Sequence, residues 1–360
     1  MTGRVALVHD YLLVLRGAER TFAEIAEMWP AATIHTLLYD ERGTRGRFAR
    51  RRVVTSVLQR TGAGQASFRA LLPLYPTAVR RLPLDPHDLV VSSSSAFAHG
   101  VRAAPGARHV CYCHSPFRYA WHDRDRALTE VSRPLRPALR AALARHRAFD
   151  RRAARRLTGV IANSRITQER IRRFWGLEAP IVHPPVEIER FSPSEGGEAL
   201  LYVGELTRHK RVEIALEAAE RAGRPIRIVG DGPDLPRLRR RFRRSAEFLG
   251  RVDDRELERV YSTSGALVVP NVEEFGIAAV EAQAAGRPVI AADAGGARET
   301  VRKDETGWLV PPDDVDAFAS AMRRRTDALD PEAIRRNAER FSPQAFRARL
   351  AEVVAALAGI

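Results

Sequence analysis

The sequence has little cysteine and no long apolar run, and both shortages narrow what it can be. No stretch approaches the roughly 20 uninterrupted apolar residues of a spanning helix, and Met1-Thr2-Gly3-Arg4 leads straight into the strand-like Val5-Ala6-Leu7-Val8, unlike a targeting segment. A soluble protein kept in the cytoplasm is expected. The two cysteines, Cys111 and Cys113, are too few and too close for a disulfide framework. Flanked by His109 and His114 they suggest a metal site, but alternate residues of an extended run share one side, whereas tetrahedral zinc sites usually draw ligands from separated pairs. Buried thiols on a core strand are the better reading. Zinc-finger and RNP-type strings are missing, which argues against a nucleic-acid-binding module. The Gly-x-Gly-x-x-Gly fingerprint of dinucleotide sites is missing as well, and no lysine stands in a convincing pyridoxal-phosphate context. No low-complexity tract or short-period repeat is visible.

What is present is an ordinary apolar fraction of 45% over 360 residues, more chain than one core usually organises, so two lobes are expected. The formal charge of +15 and pI near 10.9 favour an anionic partner: nucleic acid, a phosphate-bearing substrate or an acidic membrane face. Arg133, Arg136, Arg140, Arg145, Arg147, Arg151, Arg152, Arg155 and Arg156 crowd one segment in which Leu135, Leu139, Leu143, Ala144 and Phe149 supply a partial apolar stripe. This is the pattern of a basic amphipathic helix lying on an anionic bilayer, and equally that of a merely solvated arginine-rich face.

Short apolar runs alternate with helical stretches. Val5 to Val8, Ala32 to Leu38, Leu89 to Ser92, His109 to Cys113 and Gly159 to Ala162 read as buried strands of a parallel sheet. The second half repeats the pattern at Ala199 to Val203, Ile226 to Val229, Ala246 to Leu249, Ala266 to Val269, Pro288 to Ala291 and Gly307 to Val310. His183-Pro184-Pro185 and Ser192-Pro193-Ser194-Glu195-Gly196-Gly197 resist regular structure, making 183–198 the linker. Apolar residues at helical spacing in Pro343 to Leu357 predict a terminal helix packed on a lobe surface. The expected division is 1–185, 186–342 and 343–360.

The strongest signal runs from Val268 to Ala291. A strand ends at Pro270, a loop carries Glu273, Glu274 and Gly276, and a helix starts near Ile277 and closes at Gly286. Such a strand-loop-helix turns unpaired backbone N–H groups and a positive dipole end towards the sheet edge, where a phosphate can sit. Glu273 on the loop and Glu281 just over one turn into the helix can look into one cleft and accept hydrogen bonds from vicinal hydroxyls.

This run resembles the Glu-x7-Glu signature of glycosyltransferase family 4, retaining enzymes of the GT-B fold. The resemblance implies an α/β protein of two Rossmann-like lobes with parallel sheets facing a central cleft. It assigns Glu273 to hydroxyls of the donor sugar, Glu281 to the ribose, and the backbone of Phe275, Gly276 and Ile277 to the donor. Tyr202-Val203-Gly204-Glu205-Leu206-Thr207-Arg208-His209-Lys210 matches the family's loop with two cations on the leaving diphosphate. Lys210 takes the lysine's place, but Glu205 stands where the arginine is expected, and Arg208 is the candidate replacement. Gly230-Asp231-Gly232 and Gly250-Arg251-Val252 resemble the loops around the base, with Val252 as a backbone contact, and Gly295-Gly296 resembles the glycine turn beside the donor. Arg16-Gly17-Ala18-Glu19 resembles the Gly-Gly-Ala-Glu turn that lets Gly17 approach the phosphate. His114-Ser115-Pro116-Phe117-Arg118-Tyr119 resembles a segment of mannosyltransferase-like members, which places His114 near the reacting sugar carbon and Arg118 near an acceptor phosphate. Asp123-Arg124-Asp125 has the spacing of metal-dependent transferases but follows no apolar strand and reads as a solvated turn.

The expected activity is transfer of mannose from GDP-mannose, with retention, to a hydroxyl of a glycan or polyprenyl-diphosphate-linked acceptor in cell-surface polysaccharide biosynthesis. No metal or cofactor is expected, since Lys210, a helix end and backbone amides supply the positive field. His114, Lys210 and Glu273 are the catalytic candidates, and no side chain is an obvious covalent nucleophile. Peripheral attachment at the inner face of the membrane fits the basic segment. UDP- or dTDP-sugar donors, a basic nucleic-acid-binding protein and a non-catalytic scaffold are the alternatives.

Overall fold

The computed structural model describes residues 3–129, 131–194 and 196–359. It divides into two units, Met1–His183 with Phe346–Ile360, and Pro184–Ala345. Each is built on a six-stranded parallel sheet. In the first, β1 (Val5–His9), β2 (Thr33–Thr36), β3 (Val53–Thr55), β4 (Leu89–Ser94), β5 (Arg108–Cys113) and β6 (Gly159–Ala162) lie in the order 3-2-1-4-5-6. In the second, β7 (Leu200–Val203), β8 (Ile226–Val229), β9 (Ala246–Gly250), β10 (Ala266–Val269), β11 (Val289–Ala292) and β12 (Gly307–Val310) lie in the order 12-11-10-7-8-9. Both orders reverse direction once, between β1 and β4 and between β7 and β10. The carboxyl ends of the strands flanking such a reversal are where open α/β sheets bind ligands.

The strands read as near-continuous apolar runs because helices cover both faces of each sheet. Alternate residues divide between two core layers. Ala6, Val8 and Val90 pack with Leu143, Phe149 and Ala153, while Leu7, Leu89 and Val91 pack with Phe22, Ile25, Phe346, Leu350 and Val353. The second sheet does the same, with Leu200, Ile226 and Val268 against Leu216 and Phe318, and Leu201, Leu267 and Val289 against Val280 and Phe341. Cys111 and Cys113 are fully buried free thiols on β5, and burial pushes Cys111 up to about 12.

Four expectations change. The edge strand β3 follows the Arg50-Arg51-Arg52 run and is only half-buried, so the apolar pattern did not reveal it. The stretch taken as a linker is built into the second unit: Val186, Ile188 and Phe191 are buried in its core, and the Val186 N–H donates to the Phe341 carbonyl at 2.8 Å. Glu195, also in that stretch, lies outside the described residues. The helix Pro343–Ala358 buries Phe346, Leu350, Val353 and Val354, so it completes a core layer of the first unit instead of resting on a surface. In the helix Arg136–Ala154 the stripe is Leu143, His146, Phe149, Asp150 and Ala153, spent on the core, while Ala144 faces outward and Leu135, just before the helix, is exposed. No helix among the described residues is long and apolar enough to cross a membrane.

Candidate functional site

In the second unit the loops after β7 and β10 meet at the reversal. Lys210 ends the 3-10 turn Arg208–Lys210, and its Nζ lies 2.6 Å from Oε1 of Glu273, with the side chains 21% and 26% exposed. The Asn271 amide donates to the same oxygen at 2.9 Å. One carboxylate is thus fixed by an ammonium and an amide from opposite sides of the reversal, with its other oxygen uncommitted to either. Gly276, at φ 92°, turns the chain into the helix Ile277–Ala284 in the left-handed conformation that only glycine adopts readily. Phe275 spends its ring in the core, edge-on to Phe341 at 5.3 Å, so its backbone is what it presents outside. Val252 and Ile277 flank the same apolar cluster.

The Gly295-Gly296 turn seats against this acid loop. The Gly296 N–H donates to the Glu273 carbonyl at 2.9 Å, and a Cβ on Gly296 would stand 2.2 Å from the Phe275 carbonyl oxygen. The glycine pair therefore fixes the loop that carries Glu273. Glu281 has different partners: it accepts from the buried Tyr261 hydroxyl at 2.9 Å and sits within the field of Arg190, which bonds Glu258 at 3.1 Å. Arg208 is exposed and lines a hollow of about 450 Å³ with Arg211, Glu213, Asp234 and Arg237; neither Lys210 nor Glu273 lines it. Glu205 is exposed. Asp231 works locally, its carboxylate accepting from Gly232 N–H at 2.7 Å and its carbonyl from Leu206 N–H at 2.9 Å.

In the first unit the carboxyl edge is built from histidine and serine. Ser93, at the end of β4, places its hydroxyl 3.1 Å from His9 Nδ1 and 2.8 Å from His114 Nε2. A hydroxyl with one proton between two ring nitrogens donates to one and accepts from the other, and because it meets Nδ1 of His9 but Nε2 of His114, the two neutral imidazoles share one tautomer. Burial, then the nearby His114, pushes His9 down to about 3, and burial alone pushes His114 to about 4. Both rings are neutral near pH 7. His114 Nδ1 makes no hydrogen bond among the described residues. Asp10, next to His9, accepts four backbone N–H bonds from Ser95, Ala96, Phe97 and Ala98 at 2.5 to 3.0 Å, pinning the turn that follows β4. Burial still outweighs those bonds and raises its pKa.

Gly17 opens the helix Gly17–Met28, whose first turn is closed by the Glu19 carboxylate accepting from Arg16 N–H at 2.9 Å. Arg118 starts the 3-10 turn Arg118–Ala120, just beyond β5. Asp123 lies in a turn 4.0 Å from Arg126, and Asp125 in the first turn of the helix Arg124–Thr129. The structure thus joins Lys210 to Glu273, sets Phe275, Gly276 and Ile277 on the same loop and helix start, leaves Val252 packed against the core cluster that holds Phe275, and sets Glu281 and Arg208 among other neighbours. Sequence reasoning missed Ser93, Asp10, Asn271, Tyr261 and Arg190. The serine run of β4 was the available signal, since three serines on a buried strand each require a partner.

Two family models cover most of the chain: Glycosyltransferase Family 4 matches residues 15–190, and Glycosyl transferases group 1 matches residues 197–327. The chain belongs to the family 4-type glycosyltransferases. This family 4-type protein is 36% identical to the glycogen synthase of Mycobacterium tuberculosis over 157 residues, 41% of this chain and 37% of that one. It is 29% identical to the O-antigen chain mannosyltransferase C of Escherichia coli over 157 residues, 41% of this chain and 42% of that one. Each match thus spans less than half of the curated relative's length. The crystal structure of Anabaena HepE in complex with UDP superposes with a TM-score of 0.72 at 18% identity, covering 98% of this chain and 100% of that one. The fold is accordingly the two-lobe α/β GT-B fold.

Proposed function

We propose that this protein transfers a sugar from a nucleoside diphosphate to an acceptor hydroxyl with retention of configuration. The observation that carries the reading is the Lys210–Glu273 pair at 2.6 Å, set at the reversal of strand order beside the amino end of the helix Ile277–Ala284. An ammonium and helix-end amides form a fixed positive field for the charge that grows on a departing diphosphate. Glu273 then holds donor-sugar hydroxyls, and its bond to Lys210 couples sugar position to phosphate position. Glu281, oriented by Tyr261, takes the ribose hydroxyls. His114, neutral and with Nδ1 uncommitted, bonds a hydroxyl of the reacting sugar. No protein nucleophile is needed if the departing phosphate takes the acceptor's proton on the same face. This positive field stands in for a divalent metal, so transfer should persist in a chelator.

Mannose from GDP-mannose is the donor we favour, because the Val8-His9-Asp10-Tyr11 and Arg118-Tyr119 strings resemble mannosyltransferase-like members and a similar E. coli protein is a mannosyltransferase. A UDP-sugar is the second reading, favoured by the similar HepE structures in complex with UDP and UDP-glucose. A polyprenyl-diphosphate-linked glycan is the acceptor class we favour, reached from an anionic membrane surface that the exposed Arg140 and Arg145 can attract. Heating the protein with GDP-mannose, UDP-glucose and a dTDP-sugar in turn tests this, because a ligand that binds only the folded state raises the melting temperature. GDP-mannose should raise it most. If none of the three changes it, the transferase reading fails.

A further inference from the structure

The first unit carries a second concentration of charge, at the amino ends of its strands and so at the opposite edge of the sheet from His9, Ser93 and His114. Arg80 closes the helix Tyr75–Arg80 and Arg81 follows it. Arg102 lies on the loop leading into β5, and Arg152 and Arg156 lie at the end of the helix Arg136–Ala154 leading into β6. Thr77, Arg80, Arg81 and Arg102 line a hollow of about 320 Å³. Arg156 faces the same group: its guanidinium is held below the ordinary value by partial burial and then by Arg80, Arg102 and Arg152.

The convergence is built into the packing. The 3-10 turn Ala98–Gly100 packs on both helices, and it meets the helix Arg136–Ala154 so closely that the Phe149 ring occupies the place where a Cβ on Gly100 would stand, 2.2 Å away. That approach carries Arg102, two residues on, towards the helix end. A second tie runs from the Ala104 N–H to His87 Nε2 at 3.0 Å. The carbonyl-rich helix ends account for a cation at each, but not for Arg102, nor for the meeting of three segments. Among the described residues none of these five guanidinium groups has an acidic partner or a side-chain hydrogen bond. The acids at this edge are taken up elsewhere, Asp85 by Arg52 at 3.5 Å and Asp88 by Arg4 at 3.4 Å. Like charges brought together without a counter-charge repel, and planar guanidinium forks relieve this best by bonding phosphate oxygens in pairs.

We propose that Arg80, Arg81 and Arg102, backed by Arg152 and Arg156, form a binding site for a phosphomonoester or diphosphate group, separate from the donor site of the second unit. The group comes from a soluble phosphate compound or from a lipid headgroup, and the two sources share this chemistry. The proposal does not rest on the transferase reading, and its test reads binding alone.

The test uses the full chain carrying Lys210→Ala, so that pyrophosphate held at the donor site does not contribute. Melting temperature is followed with pyrophosphate, and sedimentation with vesicles of phosphatidylcholine with and without phosphatidic acid, at low salt. Stabilisation by pyrophosphate alone identifies a soluble source, and co-sedimentation with the phosphatidic acid vesicles alone identifies a headgroup. In either case adding Arg81→Gln and Arg102→Gln, both at exposed positions, should weaken binding roughly tenfold or more. Adding Arg243→Gln and Arg244→Gln instead, the same loss of net charge at exposed positions of the second unit, should leave it within about twofold. The site does not exist if neither probe binds, if the Arg81/Arg102 variant binds as well as its parent, or if the control pair loses as much.

Discussion

The two units share a strand order and place their candidate residues at the same topological point, yet they furnish it with opposite chemistry. The first unit sets His9, Ser93 and His114 there, neutral groups joined by hydrogen bonds, with Ser93 fully buried. The second sets an ion pair there, with both side chains about a quarter exposed. The difference follows from burial. Charges survive where water still reaches them, and where it does not the ionisable groups are held neutral.

Acid should break this comparison most strongly. His9, His109 and His114 sit at about 3, 3 and 4 in the folded chain, below the unfolded value near 6.5, so the unfolded chain binds more protons. Their contribution to stability is complete above pH 6.5 and is lost as pH falls towards 4, at roughly 1.4 kcal/mol per pH unit for each histidine. A pH series of thermal melts should show the first unit failing before the second; loss of both together, or of the second first, would contradict the assignment. Next in size, Lys210→Ala should lower turnover about 10²- to 10³-fold while the folded state persists, measured by sugar transfer alongside a melt. Full turnover in that variant would remove Lys210 from the reaction, whereas unchanged cellular function despite lost transfer would support the non-catalytic scaffold.

Gly296→Ala sharpens the comparison from the second unit alone. Its Cβ meets a backbone oxygen that cannot rotate away, at a cost of about 1–3 kcal/mol. Chemical denaturation should locate that loss in the second unit, and an unchanged midpoint would show that the turn yields freely. Smallest is Glu281→Ala, expected to weaken nucleotide binding roughly tenfold, about 1.4 kcal/mol, with little change in turnover at saturation. Calorimetry with the donor checks it, and unaltered affinity would remove Glu281 from the site.

All six strands of the second sheet were readable because each is a short apolar run bounded by turn residues. In the first sheet Val53–Thr55 escaped, being three residues long and at an edge. Lys210 and Glu273 were readable one at a time, through their resemblance to a motif, but their pairing depends on β7 lying beside β10, which no local pattern states. The role of Ser93 was hidden for a related reason. Serine at a strand end looks like the start of a loop, and the two histidines that make it a buried residue lie 84 and 21 positions away. The supposed linker was misjudged because its prolines spoke louder than Val186, Ile188 and Phe191, which the second core claims.

The helix that closes the first unit's core belongs to its last-made stretch. Phe346, Leu350, Val353 and Val354 fill the layer around Leu7, Phe22 and Tyr112, so a ribosome that has delivered residues 1–183 has not yet delivered what seals them. The second unit, contiguous from Pro184 to Ala345, can mature while the first still shows an open apolar face, and a nascent chain stalled near residue 345 should be a chaperone client where the released one is not.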